Sequence, residues 1–485
     1  MRFLRAITDR PWKIVTVSLM AAVFGYLGVL ATHAIPAISH AKSFIHTVQS
    51  GGSESDIASL GKSLTADMDA LLNDLNVPIV KQIVSLSGLD FEPIKGELTA
   101  LIKAGPDLAG ANGPKKYLIA FQNSAEARGT GGILGAFAII EFNHGKLRVL
   151  KTGSNAILKS LQEIPITMPA EYKSLYRSDP AIWQNSNLSP HFPYGAQIWM
   201  ELWRLQSGEK LDGVIAIDPT ALSHILKSTG PITLTSGEKI TSANVVFKTL
   251  SEAYKRFKKD NNARKQYLVD IMNATFSKVT AFEFSKVAMV SAIRQSIIEN
   301  RILVYSRDNA TEKELSTTKL GGYLLETRNN EYRVVIENVD ASKLDYYLDK
   351  SVLIQSKSCS GTVSTQVTVT VKNTLKDGSG LPAYVLTRAD KTKPLAMITG
   401  QHRFLVFIYG PTWGKLLNAK RSSVFGPAGG VGVERGRQLL VADVDLSPQQ
   451  SESITARFTG GIGPITYVDQ PLVRPTKISI KDECR

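Results

Sequence analysis

From Ile14 to Ala31 the chain reads IVTVSLMAAVFGYLGVLA, 18 residues without a charge. With Trp12 and Lys13 before it and Thr32 behind, a helix of that length crosses a hydrocarbon layer of ~30 Å. Arg2, Arg5, Arg10 and Lys13 crowd its N-terminal side, and the first basic residue after it is Lys42. The positive-inside rule therefore predicts a cytoplasmic stub (1–13), one membrane helix (14–32) and a body outside the cytoplasm. A cleaved signal peptide is the rival reading, with Ser39-His40-Ala41 as a passable cleavage site. Its apolar region would normally hold roughly 7–15 residues, so an uncleaved anchor is expected. Both readings put the body in the cell envelope.

At 485 residues the chain is too long for one ordinary core, and two or three domains are expected. Its 43% hydrophobic and 21% charged residues are near globular averages, which excludes a disordered chain and a polytopic membrane protein. The formal net charge of +14 suits anionic surroundings such as phosphate-bearing glycopolymers or anionic lipid headgroups, or serves solubility alone. Nucleic acid is not expected among the partners. Cys359 and Cys484 are the two cysteines. Outside the cytoplasm they are a candidate disulfide tying the C-terminal tail to a strand, with two free thiols as the alternative. No CxxC or Cys/His cluster exists, so no metal site is expected.

Residues 33–110 read as a helical stalk. Ser53 and Asp56 form a capping pattern, followed by Ile57, Leu60, Leu64, Met68, Leu71, Leu72 and Leu75 at helical spacing. Near 104–116 the composition becomes that of a linker, and an α/β domain is expected over 111–330. Its predicted strands are 117–121, 133–142, 147–151 and 212–218. Asn143–Lys146 supplies hairpin turn chemistry, and Pro219 opens a helix that ends at Gly230-Pro231. Two longer helices are predicted at about 242–259 and 262–282. Beyond 330 short β-rich runs separated by turn residues (332–338, 351–356, 362–372, 404–409, 438–444 and 453–458) predict a β-sandwich-like domain, 331–485.

Four blocks in this body resemble a known bacterial family. Tyr117–Phe137 (YLIAFQNSAEARGTGGILGAF), Trp183–Pro193 (WQNSNLSPHFP), Asp212–Pro231 and the basic stretch around Lys259–Leu268 resemble the signature of DUF4012, a domain of unknown function. The likeness extends to Glu337–Leu348 (ENVDASKLDYYL). It implies architecture and an envelope location more than an activity. Gly129 stands where that family often has proline, and His191 where it often has aspartate.

In the first block three glycines follow Arg128 within four residues. Glycines let a backbone approach a ligand, and free N–H groups cradle phosphate. Arg128 suits a bidentate contact to phosphate or carboxylate. The alternative is a tight turn with an Arg128–Glu126 pair. Lys255–Gln266 holds six basic residues in a dozen. It reads as a solvated helix end or as an anion site at a helix N-terminus near Asn262, with Arg264 and Gln266 behind it. Asn185, Asn187 and Ser189 suit a sugar site or loop caps equally.

Taken in order, these blocks also resemble the LytR-CpsA-Psr phosphotransferases, which move glycopolymers from a polyprenyl pyrophosphate onto the cell wall. That resemblance implies an α/β fold of that kind, and roles for Arg128, Asp218 with Gly230, Asp260, Arg264 and Gln266. Mg²⁺ would be the cofactor only on that reading, with Glu126 the nearest carboxylate to its ligand position. No Walker lysine, GxGxxG or GxSxG pattern occurs. Asp212 and Asp218 lie about 20 Å apart on one strand, too far for a glycosidase pair. The ligand-binding candidates are thus Asn123, Glu126, Arg128, Thr130, Asn187, Asp218, Arg264 and Gln266, and no catalytic residue is assigned. Two functions stand: a membrane-anchored envelope module binding anionic glycopolymer or a partner protein, and a phosphotransferase using a polyprenyl-linked lipid.

Overall fold

The computed structural model describes residues 95–485 except 144–145, 282, 359–363, 388–398, 423–429 and 483–485, with isolated positions between 40 and 66. The apolar run 14–32, the cytoplasmic stub, Cys359 and Cys484 lie outside the described residues. Among the described residues no helix is long and apolar enough to cross a membrane.

The chain divides into two units. One comprises Met1–Lys115 with Phe142–Leu147. Here the expected capping pattern is present: Ser53 Oγ accepts from the Asp56 amide at 3.2 Å and donates to its carboxylate at 2.6 Å. Helix α1 (Lys95–Leu108) ends near Gly110, whose positive φ of 69° suits a residue without a Cβ.

The other unit, Lys116–Glu141 with Arg148–Arg485, holds the rest of the fold. A five-stranded mixed sheet is built from β1 (Lys115–Arg128), β2 (Gly131–Asn143), β3 (Lys146–Ser154), β4 (Gly213–Ile217) and β7 (Ile302–Ser306), in the order β3-β2-β1-β4-β7. A two-residue pair, β5 (Ile232–Thr233) and β6 (Lys239–Ile240), stands apart. β1 runs parallel to β4 from Tyr117/Gly213 to Phe121/Ile217 and is buried over nearly its whole length. Such strands read as continuous apolar runs.

Helix α2 (Ala170–Tyr176) precedes α3 (Phe192–Ser207), which starts with a proline in its first turn and stops at Gly208 in the left-handed region. Phe192, Ala196, Trp199, Met200 and Trp203 recur at helical spacing and join Leu118 and Ala120 of β1 in one core. Helix α4 (Pro219–Thr229), the helical segment α5 (245–256, with a π-helical turn at Lys248–Glu252) and α6 (Asn261–Thr280) form a second core. Phe276 of α6 meets Phe121 of β1 edge-on at 6.1 Å. Helices α7 (Lys286–Ile298) and α8 (Asn309–Ser316) flank β7.

The C-terminal strands are β8 (Glu331–Asn338), β9 (Leu348–Ser358), β10 (Ser364–Asn373), β11 (His402–Thr412), β12 (Lys415–Arg421), β13 (Gly430–Glu434), β14 (Arg437–Leu446), β15 (Ser451–Thr459), β16 (Thr466–Asp469) and β17 (Lys477–Lys481). They form two sheets, β13-β14-β11-β8-β16 and β12-β15-β10-β9-β17. Phe404, Val406 and Ile408 of β11 pack against Val367, Val369 and Val371 of β10 in a shared core. The expected sandwich is present. The alternate residues Phe407 and Tyr409 join Tyr172, Tyr176 and Trp199 in the first core. One sheet is therefore buried on both faces, and apolar packing continues across residue 330.

Candidate functional site

Beyond Phe121, where its pairing with β4 ends, β1 continues through the polar run Gln122–Arg128. The glycine-rich segment after it is filled by the protein itself. A Cβ at Gly129 would lie 1.9 Å from the Leu188 carbonyl oxygen, and one at Gly132 would lie 2.3 Å from the Asn123 backbone. Asn187 Nδ2 donates to Thr130 Oγ1 at 2.7 Å and to the Gly132 carbonyl at 2.9 Å. Gln122 Oε1 accepts from the Gly132 amide at 2.9 Å. The glycines therefore bring two backbone segments together, and the expected phosphate cradle is absent from this segment.

Arg128 is committed in the same way. Its Nε and Nη2 reach Asn185 Oδ1 at 3.1 and 2.9 Å, and Nη1 reaches the carbonyls of Ala127 and Asn338 at 2.8 and 3.1 Å. Nη2 also donates to Glu126 Oε1 at 2.9 Å. A guanidinium has five N–H donors, so none is left for phosphate. The other Glu126 oxygen takes Lys343 Nζ. Burial pushes the Glu126 carboxyl up, but the charges of Lys343 and Arg128 outweigh it and hold the group below its usual range. The paired turn is the reading that applies, buried and not at the surface.

Asp218 is likewise engaged. Its Oδ1 caps α4 through the Ala221 amide at 2.8 Å, and its Oδ2 pairs with Arg301 at 2.5 Å. Arg301 also holds Glu299 at 2.6 Å. Burial would raise the Glu299 carboxyl, yet donors from His224, Gln295 and Arg301 bring it down to about 2. The N-terminus of α6 is no free anion site, because Asp260 caps it, accepting from the Ala263 amide at 2.9 Å. Gln266 is exposed, bonded to Asp270 at 2.8 Å, and does not join Arg264. His191 is buried and accepts from the Leu324 amide through Nδ1 at 3.1 Å. Burial, with Arg435 and Arg333 nearby, keeps it neutral by holding it well below its usual value.

What the fold does bring together is Asn123, Arg264, Lys265 and Lys343. Asn123 Nδ2 donates to Tyr254 Oη at 2.8 Å, and the Arg264 guanidinium lies 4.6 Å over the Tyr254 ring. Arg264 is buried, held by Asn261 Oδ1 at 3.0 and 2.8 Å. Lys265 is half-buried, and nothing among the described residues donates to, accepts from or neutralises it. Burial, then repulsion from Arg264 and Lys343, holds its ammonium below its usual value. A small apolar cavity of about 50 Å³ lies beside Asn123, where the β1–β4 pairing ends, lined by Phe121, Leu222, Leu250 and Ile271. Arg264 was legible from the basic stretch. Lys343 and Tyr254 were not, because their neighbours in space lie far off in sequence, and only the 337–348 block resemblance pointed near Lys343.

Residues 112–254 match the model of the family described as protein of unknown function (DUF4012). No curated protein matches the chain. Among solved structures, protein gbs0355 from Streptococcus agalactiae is similar at 13% identity and a TM-score of 0.25, covering 46% of this chain and 79% of that one. Lin1025 protein from Listeria innocua is similar at 12% identity and a TM-score of 0.23, covering 47% of this chain and 85% of that one.

Proposed function

We propose that this chain is a membrane-anchored envelope protein whose basic site at Arg264 and Lys265 binds the phosphates of an anionic glycopolymer. The observation that carries this reading is Lys265. Among the described residues it is a half-buried cation with no carboxylate of its own, near Arg264 and the Glu126-bound Lys343. Such a charge is costly unless an anion compensates it, and a bound phosphate would relieve the repulsion. The location rests on the apolar run 14–31 and its basic flank.

The test uses the full chain in detergent with poly(glycerol phosphate) and, as control, uncharged dextran. Saturable binding of the phosphate polymer, weakened by salt and lost in Lys265→Ala with Arg264→Ala, supports the reading. Equal binding of both polymers, or binding indifferent to the two substitutions, overturns it. For the location, protease added to intact cells should digest the body and leave residues before the anchor protected.

The second reading is a glycopolymer phosphotransferase; the apolar cavity beside Asn123, where the β1–β4 pairing ends, has the position for it but at about 50 Å³ admits only a small part of such a substrate. Ligands of open α/β sheets bind in that crevice. The residues present do not fit Mg²⁺ there. Glu126 is matched by Arg128 and Lys343, Asp218 by Arg301, and no three ligating side chains converge among the described residues. Transfer from a polyprenyl pyrophosphate to a wall acceptor, lost in Arg264→Ala, would establish this reading over simple binding.

A further inference from the structure

A second cavity, of about 490 Å³, lies where the end of β1, the 175–188 segment and one face of the β8–β11 pair meet. That volume falls within the ~300–1,000 Å³ usual for small-molecule sites. Leu405 and Phe407 of β11 form part of its lining, and Glu337, paired with Leu405 across the strands, stands beside them on the same face of the sheet. Glu337 is 4% exposed, and its Oε1 is sealed from solvent without a hydrogen-bond partner. Native structures rarely leave a buried oxygen in that state. Asn185 gives its Oδ1 to Arg128, and its Nδ2 and the Gln184 amide have no partner among the described residues.

Charge decides the class of ligand. Arg128 and Lys343 reach this cavity already bound to Glu126, and Asp179 stands at the rim. Burial, with Glu434 and Asp179 adding to it and Arg128 opposing, pushes the Glu337 carboxyl well above its usual range. That favours the protonated carboxyl, which both donates and accepts. The cavity is electrically balanced, so neither a free cation nor a free anion gains by entering it. Apolar side chains beside donors and acceptors suit a molecule with one apolar face and hydroxyls around its edge.

We infer that this cavity binds an uncharged saccharide unit, with Glu337, Asn185 and Gln184 on its hydroxyls and Phe407 and Leu405 under its ring face. The inference deepens the glycopolymer reading and rests on it. Lys343 borders both places, so a sugar here and a phosphate at Lys265 would belong to one polymer.

The experiment is calorimetric titration of the full chain, in a detergent without a sugar headgroup, with maltose, cellobiose and N,N′-diacetylchitobiose. Glucosamine and glucuronate serve as cationic and anionic controls. At least one neutral disaccharide should bind saturably, with no dependence on salt. Glu337→Leu should weaken it about tenfold, the factor for one buried hydrogen bond, and Glu337→Gln should stay within about threefold. If the leucine variant does not fold, the pH profile decides. Binding by the unaltered chain should fade as Glu337 deprotonates, and binding by Glu337→Gln should not. No binding of any neutral disaccharide, preference for glucosamine, or a loss in Glu337→Gln equal to that in Glu337→Leu overturns the inference. Disaccharide binding without phosphate-polymer binding overturns the basic-site reading and leaves this site standing. The reverse result overturns this site alone.

Discussion

The end of β1 and the first turns of α6 carry the same kind of charge and treat it oppositely. At the end of β1, Arg128 fills all five donors with protein oxygens, and Glu126 is shared between Arg128 and Lys343. On α6, Lys265 is held half out of water near two further cations, with nothing among the described residues to neutralise it. Both segments look like anion sites when read as residue types. The lesson is that a basic residue marks a binding site only after its donors have been accounted for. Satisfied charges brace a fold, and unsatisfied ones wait for a partner.

The contrast predicts unequal consequences. Arg128→Ala should cost most, about 3–5 kcal/mol, because it leaves Glu126 buried with one partner fewer. A thermal melt would register it as a large fall in Tm, and a fall like that of an exposed arginine would break the comparison. Gly129→Ala should follow at about 3 kcal/mol, since its Cβ would press on the Leu188 carbonyl and force two backbone segments apart. An unshifted melt would mean that a ligand, and not the chain, occupies that space.

Carboxylates sharpen the same contrast. Glu126, compensated by two cations, is held below its usual range. Glu312 meets only neutral donors, the Ser306 amide at 2.7 Å and Tyr323 Oη at 2.8 Å, and burial pushes it from 4.5 up to about 7. Between those values the folded chain binds a proton that the unfolded chain has released. The stability Glu312 contributes is therefore complete below pH 4.5 and is lost as the pH rises through 7. Glu126 acts in the opposite sense, contributing above the ordinary carboxylate range and losing its share in acid. Urea titrations of Glu312→Gln should show a flatter profile across the upper window. An unchanged slope there would place the Glu312 titration elsewhere.

Lys265→Ala should be the mildest for the fold, within about 0.5 kcal/mol, while phosphate-polymer affinity drops about tenfold, the worth of one charge-assisted hydrogen bond. A destabilisation approaching that of Arg128→Ala would show that Lys265 has a structural partner after all.

Much of the fold was legible. The strands read at 133–142, 212–218, 332–338, 362–372 and 453–458 all fall within two residues of β2, β4, β8, β10 and β15. Periodicity fixes such elements, because burial on one or two faces writes itself into neighbouring residues. The proline and glycine around α4 did the same for its ends. Less was legible where burial is set by distant parts. Helix α3 was missed although Phe192, Ala196, Trp199 and Trp203 stand at helical spacing along it. The edge strand β17 (KISIK) alternates, but it is only five residues long and exposed throughout, and it was missed. Of the candidate site residues, Asn123 and Arg264 come together with Lys265 and Lys343. Glu126, Arg128, Thr130, Asn187 and Asp218 are bound into internal networks, and Gln266 faces away.

The sequence by itself determined the element types, the mixed α/β and sandwich layers, the likeness to the family and the abundance of positive charge. These depend on local periodicity and composition, which a linear chain displays. Only the tertiary structure decided which charges are spent inside the protein and which remain open. That outcome turns on partners such as Asn338 for Arg128 and Lys343 for Lys265, hundreds or dozens of residues away, brought near by packing alone.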